Sequence, residues 1–253
     1  MAKLLFLQLT METKKKQESP GREEGKKEPE FLSKENVLIS IAGAIACSLC
    51  LYILNDKKVF ALPNVNIQAI SCRVIGGLHG LFSFLSAFLY LRRYIERGTW
   101  HKLLSFSIGY FIFDIIRELI VTHTFTFATI TEVYGHHLLL LAIIISCFKK
   151  YTDLMARGFL SELTNPILYV SWFLIKAKQQ DTLLAKVTGV CLLFGFAIAR
   201  IYNFTKIYLD SREEDNTMET AFFIPMIVVN YYWFYLILKK LAQALFFDVK
   251  VNF

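Results

Sequence analysis

Two adjacent imidazoles, His136 and His137, follow Tyr134-Gly135 and stand at the head of an unbroken apolar run from Leu138 to Cys147. Imidazole titrates near neutrality and serves as a general base or nucleophile when a carboxylate orients it, which is what acyl transfer requires. Asp114, inside the preceding apolar segment 103–121, is a carboxylate that packing of the two helices can bring to the pair. Adjacent residues of a helix point about 100° apart, so the two rings cannot face one atom. One would attack or deprotonate while the other holds Asp114 or a backbone group. Water must be kept out, because hydrolysis of an acyl-imidazole competes with transfer.

Other readings of these residues stand beside that one. A metal site needs three or four spaced ligands, and His136, His137, His79 and Asp114 could supply them, but the clustered His-x-x-His-His boxes of membrane di-iron hydroxylases are absent. The pair could also be structural or bind a headgroup. Asp114 has Arg117 and Glu118 within a helical turn, so an ion pair inside one helix is a bland alternative to a histidine partner.

Three further stretches carry polar groups inside apolar surroundings. In Gly76-Gly-Leu-His79-Gly80 the GxxxG spacing permits close helix approach, and His79 faces whatever comes near; it is as well explained as a satisfied structural histidine as a site member. Arg73 near the end of that span is placed to snorkel. In Glu162-Leu-Thr-Asn165-Pro166 the proline cannot donate to the Glu162 carbonyl, so the helix should break there, and the freed groups require a buried or wet lining. Trp172 follows near the far interface, where tryptophan anchors. Arg200 and Asn203 are three apart on one face, and Arg200 is deep enough to need a carboxylate such as Glu162. Pro225 and Asn230 suggest another irregularity in the last apolar segment.

The elements that must position these groups are membrane helices. Of 253 residues 55% are hydrophobic and the mean hydropathy is +0.44, well above an ordinary soluble domain. Seven apolar runs, 37–54, 67–91, 103–121, 133–148, 159–175, 183–209 and 221–240, each approach the roughly 20 residues that cross about 30 Å of hydrocarbon. The expected fold is therefore all-α and polytopic, with about seven transmembrane helices, since a lipid-exposed backbone must satisfy its own hydrogen bonds. The net charge of +7 lies largely in the N-terminus and in patches flanking the runs. It reads as topology and headgroup contact rather than a nucleic-acid surface. Residues 1–34 are Lys/Glu/Pro-rich beyond a short apolar patch and read as a disordered tail. The first helix and its loop take 35–65, and 248–253 form a C-terminal tail. Five cysteines, all in or beside apolar runs, read as small hydrophobes. Basic residues of the N-terminal tail and of the second and fourth loops share one side, which favours a cytosolic N-terminus.

The order of these residues resembles the TLC-domain family. A histidine (His79) lies in the second span and an aspartate (Asp114) in the third. His136-His137 opens the fourth, Glu162-x-Thr-x-Pro-x5-Trp172 occupies the fifth and Arg200 the sixth. The family groups translocating-chain-associating membrane proteins, longevity-assurance ceramide synthases and a neuronal ceroid lipofuscinosis protein. The stretch Glu162 to Ala177 is most similar to the ceroid-lipofuscinosis branch, and the resemblance covers 66–247.

The resemblance implies a multi-pass protein of the endoplasmic-reticulum membrane, cycling to the ER–Golgi intermediate compartment. Six helices would surround a lipid-sized cavity, with one extra helix before them. By position, His136, His137 and Asp114 would carry acyl transfer to a membrane lipid, ceramide-type or phospholipid. His79, Glu162, Asn165, Trp172, Arg200 and Asn203 would touch lipid. No cofactor is expected to be bound; acyl-CoA or an acyl-lipid would be the donor substrate. Membrane lipids are the expected partners, with luminal cargo proteins in the alternative role of a non-catalytic lipid sensor or cargo receptor supporting lysosomal-enzyme export. The chain lacks the aspartate-rich run that ceramide synthases carry after their His-His segment, and its sequence closes without a dilysine signal.

Overall fold

The structure is a computed structural model that describes residues 33–58, 62, 65–121, 135–147, 152–212 and 217–246. Residues 1–32 of the expected N-terminal tail, the expected C-terminal tail, Tyr134, Lys149 and Lys150 lie outside these residues, while Lys34, placed in that tail by the sequence reading, opens α1. All regular elements among the described residues are helical: α1 (Lys34–Asp56), α2 (Ile67–Leu91), α3 (Arg97–Val121), α4 (His136–Cys147), α5 (Thr152–Phe159), α6 (Thr164–Lys176), α7 (Leu183–Phe196), α8 (Asn203–Arg212) and α9 (Thr217–Phe246). A 3₁₀ turn, Leu160–Leu163, joins α5 to α6, and a π turn, Ala197–Tyr202, joins α7 to α8.

Each expected apolar run coincides with helix, and short polar side chains set several boundaries. Ser33, Asn66 and Thr182 accept from the backbone N–H groups of Asn36, Gln68 and Ala185 and so cap α1, α2 and α7. The C-terminus of α2 closes with a left-handed residue, Arg93 (φ 62°), and Tyr94 donates back to the Leu89 carbonyl (2.9 Å); Lys178 (φ 58°) does the same for α6, with Gln179 donating to Leu174 (2.8 Å).

Among the described residues three helices are long and apolar enough to cross a membrane: Lys34–Asp56, Ile67–Leu91 and the continuous Leu183–Arg212. Helix α3 is as long, but Arg97, Lys102, Asp114, Arg117 and Glu118 interrupt its apolar character, and α4 is apolar but short. Large apolar side chains such as Leu38, Leu78, Ile120, Phe194 and Val228 are exposed on the outside. Water would make such a surface costly and hydrocarbon would not.

Neighbouring helices pack in the order α3, α2, α5 with α6, α7, α9, α4 and back to α3, while α1 lies outside against α3 and α2. Small residues set the closest crossings. A Cβ on Gly109 of α3 would overlap the Ser40 carbonyl of α1, and Ser40 also donates to the Ser105 carbonyl (2.8 Å). The GxxxG pair of α2 meets the broken fifth segment: a Cβ on Gly80 would come within 2.9 Å of the Glu162 carbonyl oxygen, and one on Gly76 within 3.0 Å of Tyr169. The break expected around Pro166 is present, as the 3₁₀ turn just upstream. At Pro225, where the sequence suggests an irregularity, α9 continues as helix, with Pro225 on an exposed face.

Candidate functional site

One face of α3 carries Asp114, Arg117 and Glu118. The Arg117 guanidinium donates to Asp114 Oδ1 through Nε (3.1 Å) and Nη2 (2.9 Å) and meets Glu118 Oε2 at 2.8 Å. The intrahelical ion pair is therefore real. So is the histidine partner: His137 Nδ1 of α4 stands 3.1 Å from Asp114 Oδ2. That approach is within ion-pair range, but no aligned hydrogen bond ends on His137 Nδ1 among the described residues. The carboxylate thus uses one oxygen for Arg117 and turns the other toward the imidazole.

His136 is 6% exposed and its Nδ1 is likewise without a hydrogen-bond partner among the described residues. Its ring centroid is 5.4 Å from that of His137 and 5.3 Å from that of Trp233 on α9. Buried polar atoms are normally paired, so a cluster holding two such nitrogens is where an unmet polar requirement has been left.

His79 does not join them directly. Its Nε2 lies 3.1 Å from Ser83 Oγ, and its ring stacks on Tyr110 at 3.7 Å. Tyr110 and Phe111 stand between it and His137. These partners fit the structural histidine.

A second polar centre is built on the broken fifth segment and the π turn. Arg200 is 2% exposed and Glu162 4%. Arg200 donates through Nε to Thr164 Oγ1 (2.7 Å), through Nη1 to Asn230 Oδ1 (3.3 Å) and through Nη2 to Asn165 Oδ1 (2.8 Å). The Asn165 amide donates to Glu162 Oε2 (2.6 Å), and Arg200 Nη2 stands 3.9 Å from Glu162 Oε1. The expected carboxylate is thus beside Arg200, clipped to it by an amide. Trp233 links the centres, its ring lying 5.7 Å from Arg200 Cζ and edge-on to His136.

Two of the expected lipid-contacting residues are elsewhere. Trp172 lies under Arg73, whose Cζ is 4.0 Å from the ring, with Lys176 Nζ at 5.9 Å. Asn203 donates to the Arg157 carbonyl (2.7 Å) and so ties α8 to α5. Among the described residues no three His, Cys, Asp or Glu side chains gather as a metal site needs. Sequence reasoning missed Trp233 and Tyr110 as members, placed Thr164 only among the polar groups that need a buried or wet lining, and did not give Asn230 its role as an Arg200 acceptor. The available signal was the spacing Asn230-x-x-Trp233, which puts both on one helical face. The π turn around Arg200 had no sequence signal; such turns concentrate at functional sites.

Comparison with known proteins gives this arrangement its family. The TLC domain family matches residues 34–239, so the chain belongs to the TLC-domain family, as the order of its polar residues implied. It is similar to TLC domain-containing protein 4 A of Dictyostelium discoideum, 30% identical over 155 residues, which are 56% of this chain and 59% of that protein. The chain therefore spans less than two thirds of that relative's length. No solved structure matches. Family and apolar helices together make this an integral membrane protein of a lipid-related family.

Proposed function

We propose that this chain is a multi-pass protein of the endoplasmic-reticulum membrane that transfers a fatty acyl chain to a membrane lipid. The observation that carries the reading is the buried imidazole pair, one ring beside Asp114 and the other with a nitrogen that has no hydrogen-bond partner among the described residues. In the reaction an imidazole nitrogen takes the proton of the acceptor as its oxygen or nitrogen attacks the acyl carbonyl of acyl-CoA or an acyl-lipid. The tetrahedral intermediate then expels the donor's thiolate or alkoxide, which leaves with that proton. Asp114 orients His137; Arg117 holds the carboxylate in place. Six helices around a lipid-sized chamber, with α1 outside, would keep water from the acyl group. The test is lipid analysis of cells carrying the wild type or His136→Ala with His137→Ala: the double variant loses specific acylated products, and identical profiles would remove the reading.

A second reading is favoured by one observation. Arg117 already compensates Asp114, which is what a fixed structural pair does, and a non-catalytic lipid sensor or cargo receptor needs no more. Luminal proteins that co-purify equally with the wild type and the histidine double variant, with lipids unchanged, support it.

A further inference from the structure

We propose that the gap between Glu162 and Arg200 receives the hydroxyl of an uncharged lipid headgroup and rejects a phosphate at the same place. The inference rests on the reading that this site handles a lipid, and it narrows the class of lipid.

Arg200 Nη2 and Glu162 Oε1 stand 3.9 Å apart, beyond hydrogen-bonding distance. Asn165 closes one side of that gap by bonding to both partners. A guanidinium has five N–H donors, and three are engaged, by Thr164, Asn230 and Asn165. No hydrogen bond among the described residues ends on Glu162 Oε1, since the Asn165 amide is on Oε2. The pair therefore offers a donor and an acceptor side by side, both inside the protein.

A hydroxyl is the group that donates and accepts at once. Placed about 2.8 Å from each charged atom, it would donate to Oε1 and accept from Nη2. A phosphate oxygen only accepts, and its negative charge would face the carboxylate without dielectric relief. The guanidinium lies near the rings of Phe196 (5.2 Å) and Trp233 (5.7 Å), and its two uncommitted N–H groups lie in its plane, the edge on which Glu162 stands.

The test uses two photoreactive lipids with identical chains, a diacylglycerol and the corresponding phosphatidic acid, which differ by the phosphate alone. They are presented to the purified full chain in phosphatidylcholine nanodiscs. The wild type labels with the diacylglycerol roughly tenfold more, the size of one hydrogen bond to a charged group, and the label falls in peptides containing 162–166 or 226–233. Glu162→Gln keeps the shape and removes the charge, and the ratio moves several-fold toward phosphatidic acid. Equal labelling by the wild type, label only on other peptides, or an unchanged ratio in Glu162→Gln overturns the proposal. Should that variant not fold, Asn165→Asp adds a carboxylate beside Arg200 and lowers phosphatidic acid labelling further; no decrease overturns it as well. Labelling needs no turnover, so its outcome is separate from whether the histidine double variant changes acylated products.

Discussion

The two buried polar centres are assembled in opposite ways. Around Asp114 the strong contacts run along a single helix, from Asp114 to Arg117 to Glu118, and the contact from α4, His137, is close but misaligned. Around Arg200 the strong contacts cross between elements, reaching α6 at Thr164 and Asn165 and α9 at Asn230. Asn230 is itself fixed to the Met226 carbonyl (2.7 Å). The first centre can change its partners without moving a helix; the second cannot. That suits the first to a reacting group and the second to holding the fold around a bound polar group.

The contrast can be broken most strongly at Arg200. Arg200→Leu strands the buried Glu162 carboxylate and is expected to cost about 3–5 kcal/mol, as breaking a buried ion pair does. The unfolding midpoint of the purified protein in detergent reads this, and adding Glu162→Leu should recover most of the loss. Asp114→Asn should behave differently. Its stability cost is expected to be only about 1 kcal/mol, since Arg117 keeps Glu118, while the proposed acyl transfer falls about a hundredfold through the disoriented imidazole. A large stability loss there would erase the distinction between the centres.

Gly80→Ala sharpens the comparison from outside, because its Cβ would press on the backbone of the second centre at Glu162; a loss of about 1–3 kcal/mol is expected. Gly98→Ala, with nothing near its Cβ, should be neutral or slightly stabilising in the same melt. A smaller loss than that of Gly80→Ala belongs to Arg73→Ala, which removes the cation over Trp172 remote from both centres. It should lower the midpoint by an amount worth about 0.5–1 kcal/mol and leave product formation unchanged.

Much of this was legible in the sequence, for specific reasons. Long apolar runs mark helices whatever their neighbours, so the described parts of the apolar runs are helical where hydropathy places them. Polar groups inside such runs must find one another, which foretold Asp114 beside a histidine and Glu162 beside Arg200. A GxxxG pair foretold a close crossing but not its partner, which is the Glu162 to Tyr169 stretch. What stayed hidden is which face each helix turns inward. A segment that is apolar all round, such as 138–147, has no amphipathic stripe from which to read it. That is why Tyr110 between His79 and His137 could not be foreseen, whereas Trp233 shares a helical face with Asn230. Arg157 shows the same limit: among the basic loop residues it belongs to α5 and pairs with Asp210 (2.7 Å). Asn203 also looked like a site residue by position, but its amide is bound to backbone.

The crossing of α1 on α3 has a mechanical consequence. At Gly109 the two backbones leave no room for even a methyl group, so they shift together rather than slide, and Asp114 lies little more than one turn further along α3. A pull or tilt applied to the outermost helix is thereby transmitted to the carboxylate facing His137. A helix that contributes no side chain to either centre nevertheless acts as a lever on one of them.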